Sequence, residues 1–450
     1  MVYKRSIYLM EINKLVSQVL HQLSQHRKLL VAFSGGMDST VLLHLLVQLR
    51  QKHPEFQLRA LHVHHGINML ADTWVDFCEQ QCKSWQVPLK IQLVKLAAKD
   101  HGIEAAARVA RYTAFNTTLQ VGEVLITAHH LDDQSETFLL ALKRGSGPSG
   151  LSSMAVSSRL VNYLLLRPFL NCSRMQLKNY AEYYKLSWIE DDSNKNTRFD
   201  RNFLRLYVLP LLNKRWPYFT SAVARSASLC SEQEKLLDEL LAERLHTLLA
   251  EDHSLVIDGL LRCSPVCRYA LLRRWISIHG VILPSRKQLQ YLWDEVACSR
   301  IDAAPRLQLG SYQIRRFRGR LYLLPLMANI RNIQLNWLRI SPLSLPDGLG
   351  ILISGKGELY LRAPQPSQKV SIRFSAHGSL RILGRTHSRP IKKLWQELAV
   401  APWLRERTPL VYYDEQLIAA LGVFICEEGR VLDKEQPWRL HWNKNHDYNT

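Results

Sequence analysis

The apolar run Leu29-Leu30-Val31-Ala32-Phe33 breaks into Ser34-Gly35-Gly36-Met37-Asp38-Ser39, and a second apolar run begins at Val41. That order reads as a buried strand, a glycine turn and the start of a helix. Two adjacent glycines let the backbone turn sharply and approach a ligand with no Cβ in the way. The helix that follows opens with unpaired N–H groups and the positive end of its dipole. Such a turn is an anion site, and phosphate is the usual anion. It is not a Walker A loop, because no Gly-Lys-Ser/Thr follows. Nor are its glycines spaced as in the dinucleotide-binding fingerprint.

The same alternation continues for about 215 residues. Strand patterns at 58–64, 89–94 and 124–128 alternate with helical patterns at 71–84, 103–119 and 132–142. This predicts an α/β fold, a doubly wound parallel sheet with its ligands at the carboxyl ends of the strands. Composition shifts near Pro210 to Pro217. Leucines 236, 237, 240, 241, 245 and 248 then recur at helical spacing. Helical patterns follow at 269–278 and 285–296, and strand-like alternation at 305–325. A less readable connector covers 330–355, and 356–430 mixes short strands with one helix. The expected domains are a catalytic one at 1–218, a mainly helical middle one at 219–330 and a small basic α+β one at 350–450.

The net charge of +20 exceeds what a small-molecule enzyme needs and points to a polyanionic partner, most simply nucleic acid. Eight cysteines are scattered, two pairs of them at C-x3-C spacing. No second pair completes a zinc or iron–sulfur set, so free thiols are expected. The sequence shows no signal peptide and no run long enough to span a membrane, so a cytoplasmic protein is expected.

Four further segments fall where loops at the carboxyl edge of the sheet belong. In His62-Val63-His64-His65-Gly66-Ile67-Asn68, three histidines suggest metal, a nucleotide-pocket wall or plain structure. Arg108 and Arg111 share a helix face after Glu104 and suit phosphate, or form a solvated basic face. In Thr127-Ala-His129-His130-Leu-Asp132-Asp133-Gln-Ser-Glu136-Thr137, Asp133 and Glu136 share a face at a helix start. They cap the helix, or hold an ammonium group or Mg²⁺ with ATP phosphates. Last come Glu190-Asp191-Asp192-Ser193-Asn194 and Arg201-Asn202-Phe203-Leu204-Arg205, an acidic turn followed by a basic helix.

Together these motifs resemble the tRNA(Ile)-lysidine synthetase family, a branch of the PP-loop ATP pyrophosphatases, which have a Rossmann-like sheet. The resemblance covers 30–205 in the family's order. It resumes at Gly384-Arg385, Lys392-Lys393-Leu-Trp395-Gln-Glu397 and Pro402-Trp403-Leu-Arg405, and is looser at 225–330. Ala401 and Arg389-Pro390 depart from the family's pattern.

The resemblance implies that ATP adenylates C2–O of the wobble cytidine (position 34) in a tRNA(Ile) with a CAU anticodon. Lysine then displaces AMP to give lysidine. It implies ATP binding by Ser34, Gly35, Gly36, Met37, Asp38, Ser39 and His64, with Asp38 near Mg²⁺. Asp133 and Glu136 hold lysine, with Arg201 or Arg205 on its carboxylate. Asp38, His129, Asp133 and Glu136 are the catalytic candidates. Arg108, Arg111, Arg385, Lys392, Lys393 and Arg405 meet tRNA. Between 369 and 410, nine Lys and Arg stand against Glu397 and Glu406, with Trp395 and Trp403 among them. This composition suits an RNA surface over two core tryptophans. A tRNA-thiolating relative would carry C-x-x-C, a small-molecule ligase would not need the charge, and a non-catalytic RNA binder would have lost the loop or the acids.

Overall fold

The computed structural model describes residues 2–66, 71–94, 103–160, 163–300, 303–432 and 435–444. Ile67 and Asn68, at the end of the histidine segment, lie outside them. The chain divides into two compact units, Met1–Leu237 and Asp238–Thr450, and the division falls within the helix Phe219–Leu248.

The first unit runs α1 (Val2–Leu23), β1 (Lys28–Ala32), α2 (Met37–Lys52), β2 (Gln57–His64), α3 (Ala71–Ser84), β3 (Leu89–Leu93), α4 (Ile103–Thr118), β4 (Glu123–Ile126) and α5 (Leu131–Lys143). The single turn α6 (Pro148–Leu151), β5 (Ser157–Leu160), β6 (Tyr163–Leu166) and α7 (Arg174–Tyr183) follow. The sheet order is β3-β2-β1-β4-β6-β5, parallel throughout except for β5, which is antiparallel to β6. This is the doubly wound sheet that the alternation predicts.

The continuous apolar run of β1 follows from burial on both faces. Leu29 and Val31 join one core with Leu42, Leu45 and Leu46 of α2, Val19 and Leu23 of α1, and Leu177 and Tyr180 of α7. Leu30, between them, joins a second core with Leu61, Leu125, Leu165, Phe115 and Leu119. Each apolar pleat therefore sinks into a different layer, and β1 is fixed at the centre of the sheet. Two elements go beyond the expectation. Helix α1 buries Ile12, Leu15, Val19 and Leu23 at helical spacing, a pattern that the basic opening residues obscure. The β5–β6 hairpin adds an edge beyond β4, because Leu164-Leu165-Leu166 pairs in parallel with Val124–Ile126.

The second unit carries smaller sheets, each built from antiparallel pairs. The strands Leu255–Val256, Arg320–Pro325, Tyr312–Phe317 and Arg306–Leu309 lie side by side in that order. They share a core with Leu271, Leu272 and Trp275 of the helix Pro265–Ile278 and Leu289 of the helix Arg286–Tyr291. A five-stranded sheet orders 334–336, 370–373, 410–413, 416–420 and 424–425. The connector at 330–355 is not structureless. It contains two short strands and the start of Ile351–Arg362, which pairs with Pro437–Asn443. Gly355 and Gly357, both at positive φ, lie in the bulge between Ser354 and Leu359 and interrupt the alternation that would have marked the strand. The late segment also has two short helices, Ile391–Glu397 and Pro402–Arg405, rather than one. No helix among the described residues is long and apolar enough to cross a membrane.

Candidate active site

The glycine turn lies at the carboxyl end of β1, held by Phe33 N donating to Leu61 O (2.9 Å). Gly35 adopts φ +82°. A Cβ there would stand 2.5 Å from Ile189 Cδ1 and 3.0 Å from Cys78 Sγ. Its carbonyl accepts from Ile189 N (2.9 Å) and from Thr40 Oγ1 (3.2 Å). The left-handed backbone therefore calls for glycine, and a Cβ would also push aside the tip of Ile189. Gly36 is the N-cap of the 16-residue α2 and supplies no side-chain cap, so the first amides of a long central helix stay open to an anion. Ser39 Oγ donates to Gly36 O (2.9 Å) and lies 3.0 Å from Ser34 Oγ, which fixes the loop from inside.

Asp38, the second residue of α2, faces the next strand's loop. His130 caps α5 in an unusual capping box. Its backbone N donates to Asp133 Oδ2 (3.0 Å), and its Nδ1 accepts from Asp133 N (3.4 Å). Its other ring nitrogen lies 3.5 Å from Asp38 Oδ2 and 3.5 Å from Asp133 Oδ2. His130 is fully buried. Burial disfavours its charge, but Asp38, Asp133 and Asp132 outweigh that and raise its pKa. Its Nδ1 also lies 3.6 Å from Asp132 Oδ2.

Asp133 and Glu136 follow on the inner face of α5, and both meet arginine. Arg205 Nε donates to Glu136 Oε1 (2.6 Å), and its Nη2 donates to Glu136 Oε2 (3.1 Å) and Asp133 Oδ1 (2.8 Å). Arg201 Nε lies 3.2 Å from Glu136 Oε2, and Arg201 Nη2 donates to Thr137 Oγ1 (2.9 Å). The two acids are pushed apart. For Asp133, burial is overcome by His130 and Arg205, and the pKa falls. For Glu136, burial prevails over Arg205, and the pKa rises. Such a split is how one site keeps an anion beside a proton acceptor. Arg205 reaches the acids from a π-helical turn, Leu204–Val208, within a segment helical from Asp200 to Arg215.

The structure thus brings together Ser34–Ser39, Asp38, Asp133, Glu136, Arg201 and Arg205. It adds His130, where the sequence pointed to its neighbour. The signal was present: histidine in the N-cap place with an acid three residues on. His129 instead pairs with Thr127 Oγ1 (2.9 Å). Burial lowers its pKa to about 4, helped by Arg167, Arg201 and Arg108 against the pull of Asp133. His64 lies 3.2 Å from Asp72, and His62 bonds Phe33 O (3.0 Å). His65 is lowered to about 4 by burial and Arg111. No group of three or more metal-binding side chains occurs among the described residues. Asp38 Oδ1 is nonetheless buried with no hydrogen-bond partner among them. A bare carboxylate oxygen beside an open helix start fits a phosphate-bound Mg²⁺.

Arg108 and Arg111 are exposed on α4, and the Arg108 guanidinium lies 4.9 Å from the centre of the Tyr112 ring. In the second unit, Lys392 and Lys393 are exposed on Ile391–Glu397 while Trp395 and Trp403 are buried. Arg385 pairs with Glu397, and Arg405 Nε donates to Val400 O (2.9 Å).

The chain is similar to known proteins along most of its length. A PP-loop domain model matches residues 8–212, a TilS substrate binding domain 255–322 and a TilS substrate C-terminal domain 370–442. A tRNA(Ile)-lysidine synthase of Serratia proteamaculans is 66% identical over 96% of this chain and 99% of its own. One from Edwardsiella ictaluri is 57% identical over 95% and 98%, and one from Pectobacterium atrosepticum 56% identical over 96% and 98%. Among solved structures, the U34-tRNA thiolase NcsA of Methanococcus maripaludis aligns with 50% of this chain and 80% of its own, at TM-score 0.44 and 16% identity.

Proposed function

The chain belongs to the tRNA(Ile)-lysidine synthase family, and we propose that the cluster around His130 divides that family's two-step chemistry between the glycine loop and the acid pair. The protein ligates lysine to C2 of the wobble cytidine of a tRNA(Ile) with a CAU anticodon. ATP is split to AMP and pyrophosphate.

In the first step the cytidine O2 attacks the α-phosphorus and the bond to pyrophosphate breaks. Ser34 to Ser39 hold the β/γ end through the open amides of α2, which leaves the α-phosphorus free for in-line attack. His64 borders the nucleotide. Mg²⁺ bound with ATP at Asp38 supplies neutralisation of phosphate charge. His130, held between Asp38 and Asp133, fixes the loop to the acid pair. His129, neutral and hydrogen-bonded to Thr127, borders the same site and assists activation.

In the second step the lysine nitrogen attacks C2, and AMP leaves with the C2 oxygen. The nitrogen sheds two protons, one before attack and one as the C–N bond forms. Glu136, with its raised pKa, takes the first, and water takes the second. Asp133 stays anionic and orients the ammonium. Arg205 now covers both acids, so the entering ammonium takes its place. The displaced guanidinium, with Arg201, then faces the lysine carboxylate.

The stretches 219–330 and 350–450 bind tRNA, the latter through Lys392 and Lys393; Arg385 and Arg405, held by Glu397 and Val400 O, reach it only by exchanging those partners for phosphate. Arg108 and Arg111 meet it near the catalytic site. Eight free thiols support a reducing, cytoplasmic setting.

One observation carries this division of labour: His130 stands 3.5 Å from both Asp38 and Asp133. Labelled lysine should enter a CAU-anticodon tRNA(Ile) transcript with equimolar AMP and pyrophosphate release. Incorporation into initiator methionine tRNA instead would overturn the substrate.

A further inference from the structure

Beside the acid cluster lies a cavity of about 580 Å³ between α4 and the β5–β6 hairpin. Arg108, Tyr112, Asn116, Ser158, Arg159 and Arg167 line it. Its volume falls within the range of small-molecule sites. Strand pairing fixes its position. Ile126 at the end of β4 faces Leu166 at the end of β6, and Thr127 N donates to Leu166 O (3.0 Å). Arg167 therefore stands beside the Thr127–His129 stretch, at the edge of the catalytic site.

The lining is built for a flat, anionic guest. The Arg108 guanidinium packs over Tyr112 and also donates to its hydroxyl (3.3 Å). Below them, Arg167 is 93% buried, the complement of its 7% exposure. Its Nη1 donates to Ala155 O (2.7 Å) and Ser158 Oγ (3.1 Å). Its Nε has no hydrogen-bond partner among the described residues, and neither has the buried Asn116 Oδ1. A donor and an acceptor left unmet just behind one cavity wall are costly unless a polar guest draws them out.

Resting on the function proposed above, we propose that this cavity is a subsite for one unstacked nucleotide of the tRNA anticodon loop. Its base stacks on Tyr112 in the place that Arg108 now covers, and Arg108 turns to its phosphate. Its polar edge meets Asn116 and Arg167, and its phosphate meets Arg159. Single-stranded RNA is read in this way, with bases splayed onto aromatic faces and hydrogen-bonded along their edges. An enzyme that acts on C2–O of a loop base must also unstack that part of the loop.

The test uses the full-length protein and compares Tyr112→Ala, Tyr112→Phe and Asn116→Ala with wild type. Stacking on one aromatic side chain contributes about 1–3 kcal/mol, or roughly 5- to 150-fold in affinity. Tyr112→Ala should raise KM for the tRNA transcript by at least about fivefold while KM for ATP and lysine stays within twofold. Tyr112→Phe, which keeps the ring, should restore most of the loss, and Asn116→Ala should show a smaller loss. Pyrrolocytosine placed singly along the anticodon loop should report one position whose quenching depends on Tyr112. Unchanged tRNA KM in Tyr112→Ala, equal losses in Tyr112→Phe and Tyr112→Ala, or KM changes shared by ATP would each overturn the subsite. Wild type failing to incorporate lysine would overturn the underlying function instead, so the two failures are distinct.

Discussion

Gly35 combines a left-handed backbone with a side-chain direction already filled by Ile189 and Cys78. Gly35→Ala should cost about 1–2 kcal/mol from the left-handed backbone, with the shift of Ile189 added. A lower thermal midpoint together with weaker ATP binding checks it, and a neutral variant would refute the geometry. Glu136 makes the opposite kind of demand, since its work depends on its charge state. Because burial raises its pKa, it is protonated over a wider acidic range than an exposed glutamate. The rate of lysine transfer should then fall as pH drops through that raised value, since a protonated carboxyl accepts no proton. Glu136→Gln should lower lysine transfer about 10²–10⁴-fold and leave single-turnover pyrophosphate release within a few-fold. It should also remove the acid limb of the pH profile. Equal loss of both steps would sink the base assignment. At this scale the sequence revealed residue types better than directions. Asp38, Asp133 and Glu136 announce themselves by motif, whereas two adjacent histidines look alike until the strand end turns His130 inward and His129 toward Thr127.

Helix 200–215 shows why elements are legible and their distortions are not. Pro210 has no N–H to give Leu206 O, and Leu209 N bonds Leu204 O, so the helix widens into a π turn around Arg205. In sequence the prolines at 210 and 217 mark only a change of composition near a boundary. In the structure the chain stays helical across Pro210 and turns extended at Trp216, just before Pro217. Pro210→Ala restores the missing donor and should let the turn relax to ordinary α-helix, rotating Arg205 out of reach of the lysine carboxylate that it meets once the ammonium has displaced it from the acids. KM for lysine should rise about tenfold, with tRNA affinity unchanged and the thermal midpoint equal or higher, because alanine suits a helix interior better than proline. An unchanged KM would show that the π turn does not aim Arg205. The βαβ rhythm was legible because each buried strand is a solid apolar run. The β5–β6 hairpin was not, because Ser157–Leu160 is half exposed on a sheet edge and carries no such run.

Across the whole molecule, the charge of +20 points to a polyanion but does not say which cations touch it. Of the nine basic residues between 369 and 410, several are already engaged within the protein. Arg373 grips Glu415 at 2.7 and 2.8 Å, Arg407 holds Asp347 at 2.6 Å, and Arg385 pairs with Glu397. Lys369, Arg389, Lys392 and Lys393 stay exposed. Counting charges in the sequence therefore overstates the RNA-facing surface, because folding spends part of the basic excess on internal pairs. The two groups should separate experimentally. Removing one cation that touches a phosphate lowers the salt slope of tRNA binding by about 1. Lys392→Ala with Lys393→Ala should thus weaken tRNA binding at low salt, flatten the slope by up to about 2, and leave the thermal midpoint in place. Arg407→Ala should do the reverse, because it strips a buried guanidinium from Asp347. Stability should fall by about 1–3 kcal/mol, with the salt slope of the remaining folded protein unchanged. If the lysine pair leaves the slope untouched, the exposed face of Ile391–Glu397 is a solvated surface and the polyanion binds elsewhere on the chain.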